Sequence, residues 1–426
     1  MSKDSKSTSD ARTAVEVITI GDELLLGFTI DTNAAHLARQ LAAIGMHVVR
    51  RATVGDEAGE IARGVGEALA RTGAVITTGG LGPTSDDLSK DSVAALFGRG
   101  MHLDEAHLAW MQERWMKRFN RPLPAGNRRQ AMMPDGSEKL ENRHGSAPGV
   151  WLEDDRGRWV AMLPGVPSEM RGMLADTLIP RLSSRIGQGT VVRSLTLRTT
   201  GVAESLLADQ IESIAGGPLE TSLAYLPSIS GVDLRLTVRD VPADAAERSL
   251  STAASRLRAQ VGESIYGQDD DDLASIVLGL CRQRSLTIGV AESCTGGLLG
   301  ARVTAIPGSS DVVLGGIIAY HNDVKRDLLG VDEQTLQAHG AVSEPVVAQM
   351  AAGARRISRS KVGLAITGVA GPTGGTTEKP VGTVWVAVDV DGDVKTRLLK
   401  LWGGRDEVRQ RAAQWTLEML RQRLLR

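Results

Sequence analysis

TIGVAESCTGG, running from Thr287 to Gly297, sets the reading of the last third of the chain. The apolar run Ile288, Gly289, Val290, Ala291 has the length of a buried strand. It ends in a carboxylate, a hydroxyl and a thiol, followed by Thr295 and two glycines. The next residues, LLGARVTAI, read as a helix. A side chain between a buried strand and a helix N-terminus is exposed at a sharp turn and lies near free backbone N–H groups. Acyl transfer uses that arrangement: an attacking atom, with donors for the oxyanion it creates. The structural alternative is a plain strand–turn–helix link with Ser293 as N-cap.

Working outward, QDDDD at Gln268 to Asp272 marks a boundary, because four like charges stay in solvent and favour the N-terminus of a helix over 273–284. Beyond the motif, a PGSS turn leads to a strand at Gly315 to Tyr320. Asn322 reads as the N-cap of the next helix, with Lys325 one turn in. A helix from Glu344 to Ile357 leads to a strand at Val362 to Gly368 and then a long loop, VAGPTGGTTEKPVG. Strands at Thr383 to Val390 and Thr396 to Leu401 precede a closing helix, Arg405 to Leu425. This alternation predicts a second α/β domain over 268–426.

Three groups then converge at strand ends: Ser293 with Cys294, Tyr320 with Asn322 and Lys325, and the loop from Thr367 through Gly375. The domain holds only His321 and His339, and no Ser-His-Asp arrangement is recognisable. A lysine can take the proton instead if burial or a neighbouring cation lowers its pKa, which makes Lys325 the candidate base. Ser293 and Cys294 remain rival nucleophiles on these grounds. Thr367, Gly368 and Gly371 form a nest for anions or carbonyl oxygens. Arg405 adds a fork for phosphate. The chemistry reads as an amide or ester hydrolase acting on a phosphorylated small molecule, with a serine nucleophile.

The N-terminal half carries its own βαβαβ pattern. Strands are expected at Val15 to Ile20, His47 to Val54 and Ala74 to Thr78. Helices are expected from an Asn33 cap through Ala43 and from Glu57 to Ala70. This predicts a parallel sheet over 13–188. The third strand ends in TTGGLGPTSDD. Gly79, Gly80 and Gly82 permit close approach of a phosphate, and Thr78 and Thr84 supply hydroxyls. Asp86 and Asp87 suit a divalent metal ion bridging a polyphosphate. A second loop, PGVPSEM at Pro164 to Met170, brings Glu169 towards the same pocket. Helix 104–120 carries Trp110, Met111, Trp115 and Met116, read as core or interface. Residues 189–267 read as a small α+β subdomain with a structural or dimer-forming role.

Composition bounds the rest. A chain of 426 residues exceeds one ordinary core. A net charge of −2 gives no electrostatic case for a nucleic-acid partner. Only Cys281 and Cys294 are present, which fits a reducing, cytoplasmic setting without disulfides. Residues 1–12 read as a disordered polar tail, not a signal peptide. No apolar run is long enough to span a membrane.

Together AESCTGG, GGIIAYHNDVKRDLLGV, HGAVSEPVV, ITGVAGPTGGTTEKPVGTVW and the Gly403 to Arg405 GGR resemble the CinA family (competence/damage-inducible protein A). GDELLLG, DTN, TTGGLGPTSDD and PGVPSEM resemble that family's N-terminal domain, which is related to molybdopterin-binding MoaB/MogA proteins. The resemblance covers nearly the whole chain. It implies a C-terminal three-layer α/β domain acting as a nicotinamide mononucleotide deamidase, with no cofactor. Residue by residue, it implies Ser293 as nucleophile, Lys325 as base, Tyr320 as supporting hydroxyl and Arg405 as substrate-binding arginine. Around them it implies backbone oxyanion donors near Thr295 and Gly296. It also implies ADP-ribose hydrolysis with a divalent metal ion at Thr78 to Asp87, pyridine nucleotides as partners, and a homodimer. The runner-up is a molybdopterin-type binding or competence-associated protein whose C-terminal domain is vestigial; the four matching positions argue against it. Two departures from the family pattern are His321, where a smaller residue is common, and Ser89, where Thr is common.

Overall fold

The computed structural model describes residues 13–186, 190–214, 216 and 219–426. The tail expected over 1–12 lies outside the described residues. The chain divides into two compact units. The first holds the described residues up to Arg193 together with Val238–Glu247; the second holds Ser194–Thr237 and Arg248–Arg426.

In the first unit, β1 (Ala14–Ile20) lies between β2 (His47–Val54) and β3 (Ala74–Thr78), all parallel. The helices α1 (Thr32–Ala43) and α2 (Ala58–Thr72) make the crossovers. The sheet continues through β4 (Glu138–Leu140), β5 (Gly149–Glu153) and β6 (Trp159–Leu163) in the order β2-β1-β3-β6-β5-β4. β6 is parallel to β3, and β5 and β4 then run antiparallel, so the sheet is mixed at that edge. Alternation along β1 separates two cores. Val15 and Val17 pack with Leu37 and Leu41 of α1; Ile18 and Ile20 pack with Ile61 and Val65 of α2. The cap of α1 differs from expectation: Asp31 accepts from the Ala34 N–H at 2.9 Å. Asn33 is instead turned inward and buried.

The second unit contains most of a four-stranded sheet, built from β7 (Val191–Thr199), β8 (Ser222–Pro227), β9 (Val232–Val241) and β10 (Ile265–Gln268), in the order β8-β9-β7-β10. The sequence reading has no counterpart for β10. Four residues, one of them glycine, are too few to show a period, and only pairing with β7 defines the strand.

The same unit contains a five-stranded sheet in the order β12-β11-β13-β14-β15. β11 (Ile288–Glu292) is the middle of three parallel strands, between β12 (Val313–Ile318) and β13 (Val362–Gly368). β14 (Thr383–Val390) and β15 (Asp393–Lys400) add antiparallel neighbours. Ile288 and Val290 face a core shared with α3 (Leu273–Gln283) and α4 (Arg405–Leu425), through Val277, Leu278, Leu417 and Leu420. Ala291 and Ala365 face the opposite core, with Val346, Val347 and Met350 of the helix Glu344–Ser358. Helices on both faces make this the expected three-layer α/β domain. Gly363 is required there because a Cβ would collide with the Ala351 carbonyl of that helix. Among the described residues, no helix is long and apolar enough to cross a membrane.

Candidate active site

Ser293 follows the last residue of β11, and its backbone N–H donates to the Ile366 carbonyl at 2.9 Å, continuing the ladder to β13. The nucleophile candidate is therefore tied to the neighbouring strand through its own backbone. Its side chain lines a cavity of about 270 Å³ with Cys294, Tyr320, Asn322, Lys325, Thr367, Gly368, Gly371 and Arg405. Eight of the ten C-terminal positions singled out in the sequence thus meet in one place, although 112 positions separate the first from the last.

Lys325 is 1% exposed, one of the largest fully buried side chains. It lies on the short helix Asn322–Asp327, and its Nζ donates to the Ala319 carbonyl at 2.8 Å. Among the described residues no carboxylate forms an ion pair with it. Burial lowers its pKa, against an opposing pull from Cys294. A buried, unpaired amine is held towards its neutral form and keeps a lone pair for a proton. Burial acts the other way on Cys294, pushing its thiol up to about 12. The two candidates left open by the sequence thus differ: the thiol is held protonated, and the serine shares its cavity with a lysine amine held towards its neutral form.

Arg405, the first residue of α4, donates from Nη2 to the Tyr320 hydroxyl at 2.9 Å and from Nη1 to the Gly371 carbonyl at 2.7 Å. It therefore joins the helix, the tyrosine and the glycine loop. Thr367 is fully buried and donates to the Ala341 carbonyl at 2.9 Å.

Two expectations need correction. Asn322 is not the N-cap of its helix. His321 is, its Nδ1 accepting from the Asp323 N–H at 3.3 Å, which leaves Asn322 free to line the cavity. Gly296 does not offer a free oxyanion donor either, because its N–H bonds the Ser293 carbonyl at 3.0 Å and closes the turn. Neither Thr295 nor Gly296 lines the cavity. The Thr295 carbonyl instead accepts from Arg409 Nη2 at 2.9 Å and Nε at 3.2 Å, tying the turn to α4. The Thr295 and Cys294 N–H groups have no backbone acceptor among the described residues.

The sequence reading gave Glu292 no role. It is 1% exposed, and its carboxylate accepts the N–H groups of Gly297 (3.1 Å), Leu299 (3.0 Å) and Gly300 (2.7 Å). It thus caps from below the helix that follows the nucleophile turn, consuming the free donors at that helix start. The available signal was a carboxylate buried in an otherwise apolar strand run. Glu292→Ala strands these three donors, and the expected loss is about 2–4 kcal/mol of stability. Chemical denaturation checks it, and a loss below about 0.5 kcal/mol would contradict the cap.

In the first unit the predicted ligand loop is mostly self-bonded. Asp87 Oδ2 accepts the Thr84 N–H at 2.8 Å and also the Thr84 hydroxyl. The Ser89 hydroxyl donates to the Gly79 carbonyl at 2.9 Å, a bond that Thr would also make. Gly79 and Gly80 take positive φ, +112° and +66°. A Cβ on Gly82 would meet the Asp87 carboxylate. Asp86 is exposed. Among the described residues no group of three or more His, Cys, Asp or Glu side chains is arranged to hold a metal ion. Asp87 is engaged within the loop, and Asp86 faces solvent. Thr78 reaches a cavity of about 100 Å³, lined also by Thr19, Glu23, Asp31, Asn33 and Gly165. Asn33 Nδ2 donates to Thr78 Oγ1 (3.1 Å) and to the Gly165 carbonyl (2.7 Å), while its Oδ1 is buried without a partner. Glu169 lies elsewhere, accepting from Asn142 at 2.6 Å beside Trp110, Trp115 and His144.

Fold and site define a multidomain α/β protein with a serine–lysine cavity at the carboxyl end of a central parallel strand. Models of three families match in series. They are described as the probable molybdopterin binding domain (residues 16–184), the damage-inducible protein CinA KH domain (194–267) and the CinA C-terminal domain (270–424). The chain is 60% identical over 413 residues to a CinA-like protein of Gemmatimonas aurantiaca, covering 97% of this chain and 96% of that one. It is 42% identical over 414 residues to a CinA-like protein of Gloeobacter violaceus, covering 97% of each. The crystal structure of competence/damage inducible protein CihA from Agrobacterium tumefaciens is 43% identical, covering 36% of this chain and 94% of that one, with a TM-score of 0.35. The chain belongs to the CinA family.

Proposed function

We propose that the Ser293 cavity hydrolyses the carboxamide of nicotinamide mononucleotide to nicotinic acid mononucleotide and ammonia. The observation that carries this reading is Lys325, an amine buried in the Ser293 cavity with no carboxylate beside it. Lys325 Nζ takes the proton from Ser293 Oγ as that oxygen attacks the carboxamide carbon. The carbonyl electron pair moves to oxygen, and the N–H of Cys294, a cavity residue, stabilises that charge. The protonated Lys325 returns its proton to the leaving nitrogen, the C–N bond breaks and ammonia departs. Water then attacks the acyl-enzyme, again with Lys325 as base, and releases the carboxylate and free Ser293. Arg405 orients the nucleotide while holding Tyr320, and the loop at Gly368 and Gly371 accommodates its anionic part.

A second reading, hydrolysis of the ADP-ribose pyrophosphate by the first unit, is favoured by Asn33 Oδ1, which is buried, unpartnered and part of a residue lining a cavity. A divalent metal ion there would be held by Asp86 and Asp87 together with the pyrophosphate, and no step is routed through it.

One experiment addresses both readings. The full chain is incubated with nicotinamide mononucleotide and, separately, with ADP-ribose, and ammonia and AMP are measured. Ammonia release from the first substrate is expected, and its absence would refute the deamidase. AMP release from the second is expected to fall in Asn33→Leu and to be unaffected by Ser293→Ala. An Asn33→Leu variant with wild-type AMP release would refute the second reading.

A further inference from the structure

A cavity of about 510 Å³ in the second unit shares no lining residue with the Ser293 site. It lies between the loops 200–204 and 227–232 and the residues Trp402, Arg411, Gln414 and Trp415. The volume falls within the roughly 300–1,000 Å³ usual for small-ligand pockets.

Two tryptophans, Trp402 and Trp415, are in its lining. Trp402 is 69% exposed, and the Arg411 guanidinium stacks on it at 3.5 Å from the ring centroid. The Arg397 guanidinium stands over Trp415 at 4.3 Å.

Two residues of its lining, Gln414 and Arg411, each carry a hydrogen-bonding atom without a partner. Gln414 is 2% exposed. Its Nε2 donates to Thr200 Oγ1 at 3.1 Å, and that hydroxyl donates onward to the Ser230 carbonyl at 2.9 Å. With its hydrogen so placed, Thr200 can only accept from Gln414, which fixes the amide nitrogen towards Thr200 and the amide oxygen away from it. That oxygen is buried with no partner, and so is Arg411 Nε. Buried polar atoms are rarely left unpaired in folded proteins. Residues 411 and 414 are three apart on α4, so the orphan acceptor and the orphan donor lie on one helix face.

We propose that this cavity binds a nucleotide through a heteroaromatic ring that presents an amino N–H beside a ring-nitrogen acceptor, the pattern of adenine and cytosine. The amino group donates to Gln414 Oε1. The ring nitrogen accepts from Arg411 Nε–H. The base stacks on the exposed tryptophan, as bases do on aromatic side chains generally. Lys400, also in the lining, suits the phosphate.

The test is calorimetric titration of the full chain with AMP, CMP, IMP and UMP. IMP and UMP carry a carbonyl in place of the amino group and an N–H in place of the acceptor, so they reverse both partners. AMP and CMP are expected to bind about tenfold or more tightly than IMP and UMP. Trp402→Ala and Gln414→Leu are each expected to weaken AMP binding by about tenfold and to erase the preference. Trp402 is exposed, so its variant decides the matter even if Gln414→Leu does not fold. The proposal is overturned by equal binding of AMP and IMP, as a merely water-filled cavity would give. No AMP binding at millimolar concentration, or AMP binding unchanged in Trp402→Ala, overturns it as well.

Discussion

Lys325→Met is expected to lower ammonia release from nicotinamide mononucleotide by about 10³-fold or more, in the upper range for losing a general base, without weakening the fold. The wild-type rate is expected to rise with pH through the lowered lysine pKa and to level off below the ordinary lysine value of about 10.4. The base acts only when neutral, and burial makes it neutral earlier. Stability gives an independent check. A lysine whose folded-state pKa is depressed binds fewer protons folded than unfolded, so its contribution to stability rises with pH between the folded value and about 10.4. Below that window the buried ammonium costs stability. Methionine removes the cost, so the variant's advantage is expected at neutral pH and fades as pH approaches the unfolded value. Thermal melts at two pH values, with steady-state kinetics, measure both effects. A variant with wild-type turnover would remove Lys325 from the chemistry.

Ser293→Ala is expected to cost about 10³-fold or more in kcat, whereas Cys294→Ala is expected to stay within a few-fold of wild type. The contrast follows from burial. With its thiol pushed up to about 12, Cys294 is held protonated at pH 7, and although it lines the cavity it also packs in the core below the turn. Ser293 lines the cavity beside Lys325. If Cys294→Ala were inactive while folded and Ser293→Ala active, the two roles would be exchanged.

Much of the fold was legible because burial leaves a mark on the chain. β1 and β11 are continuous apolar runs, as strands covered on both faces must be. α4 was recognisable from its length and its arginine-led start. The four-residue β10 was not, because its stability resides in its partner strand. Caps were misread for a related reason. Asn33 and Asn322 have the right chemistry for N-caps, but a cap is decided by which neighbour reaches the free N–H groups first. In the fold these are Asp31 and His321.

By itself the sequence determined the order of the domains, the α/β class, and the residue types of the C-terminal site. Hydrophobic periodicity and motif spacing are local properties, and the motifs resemble one family from end to end. The tertiary structure alone decided which of these residues meet in one cavity. It buried Lys325 away from any carboxylate and raised the Cys294 thiol. It turned Glu292 from a neighbour of the nucleophile into the cap beneath it, and it closed the Gly296 N–H into a turn. It also left Gln414 and Arg411 with unmet bonds in a second cavity. Each of these depends on what surrounds a polar atom once water is excluded, and that surrounding is supplied by segments distant in the chain.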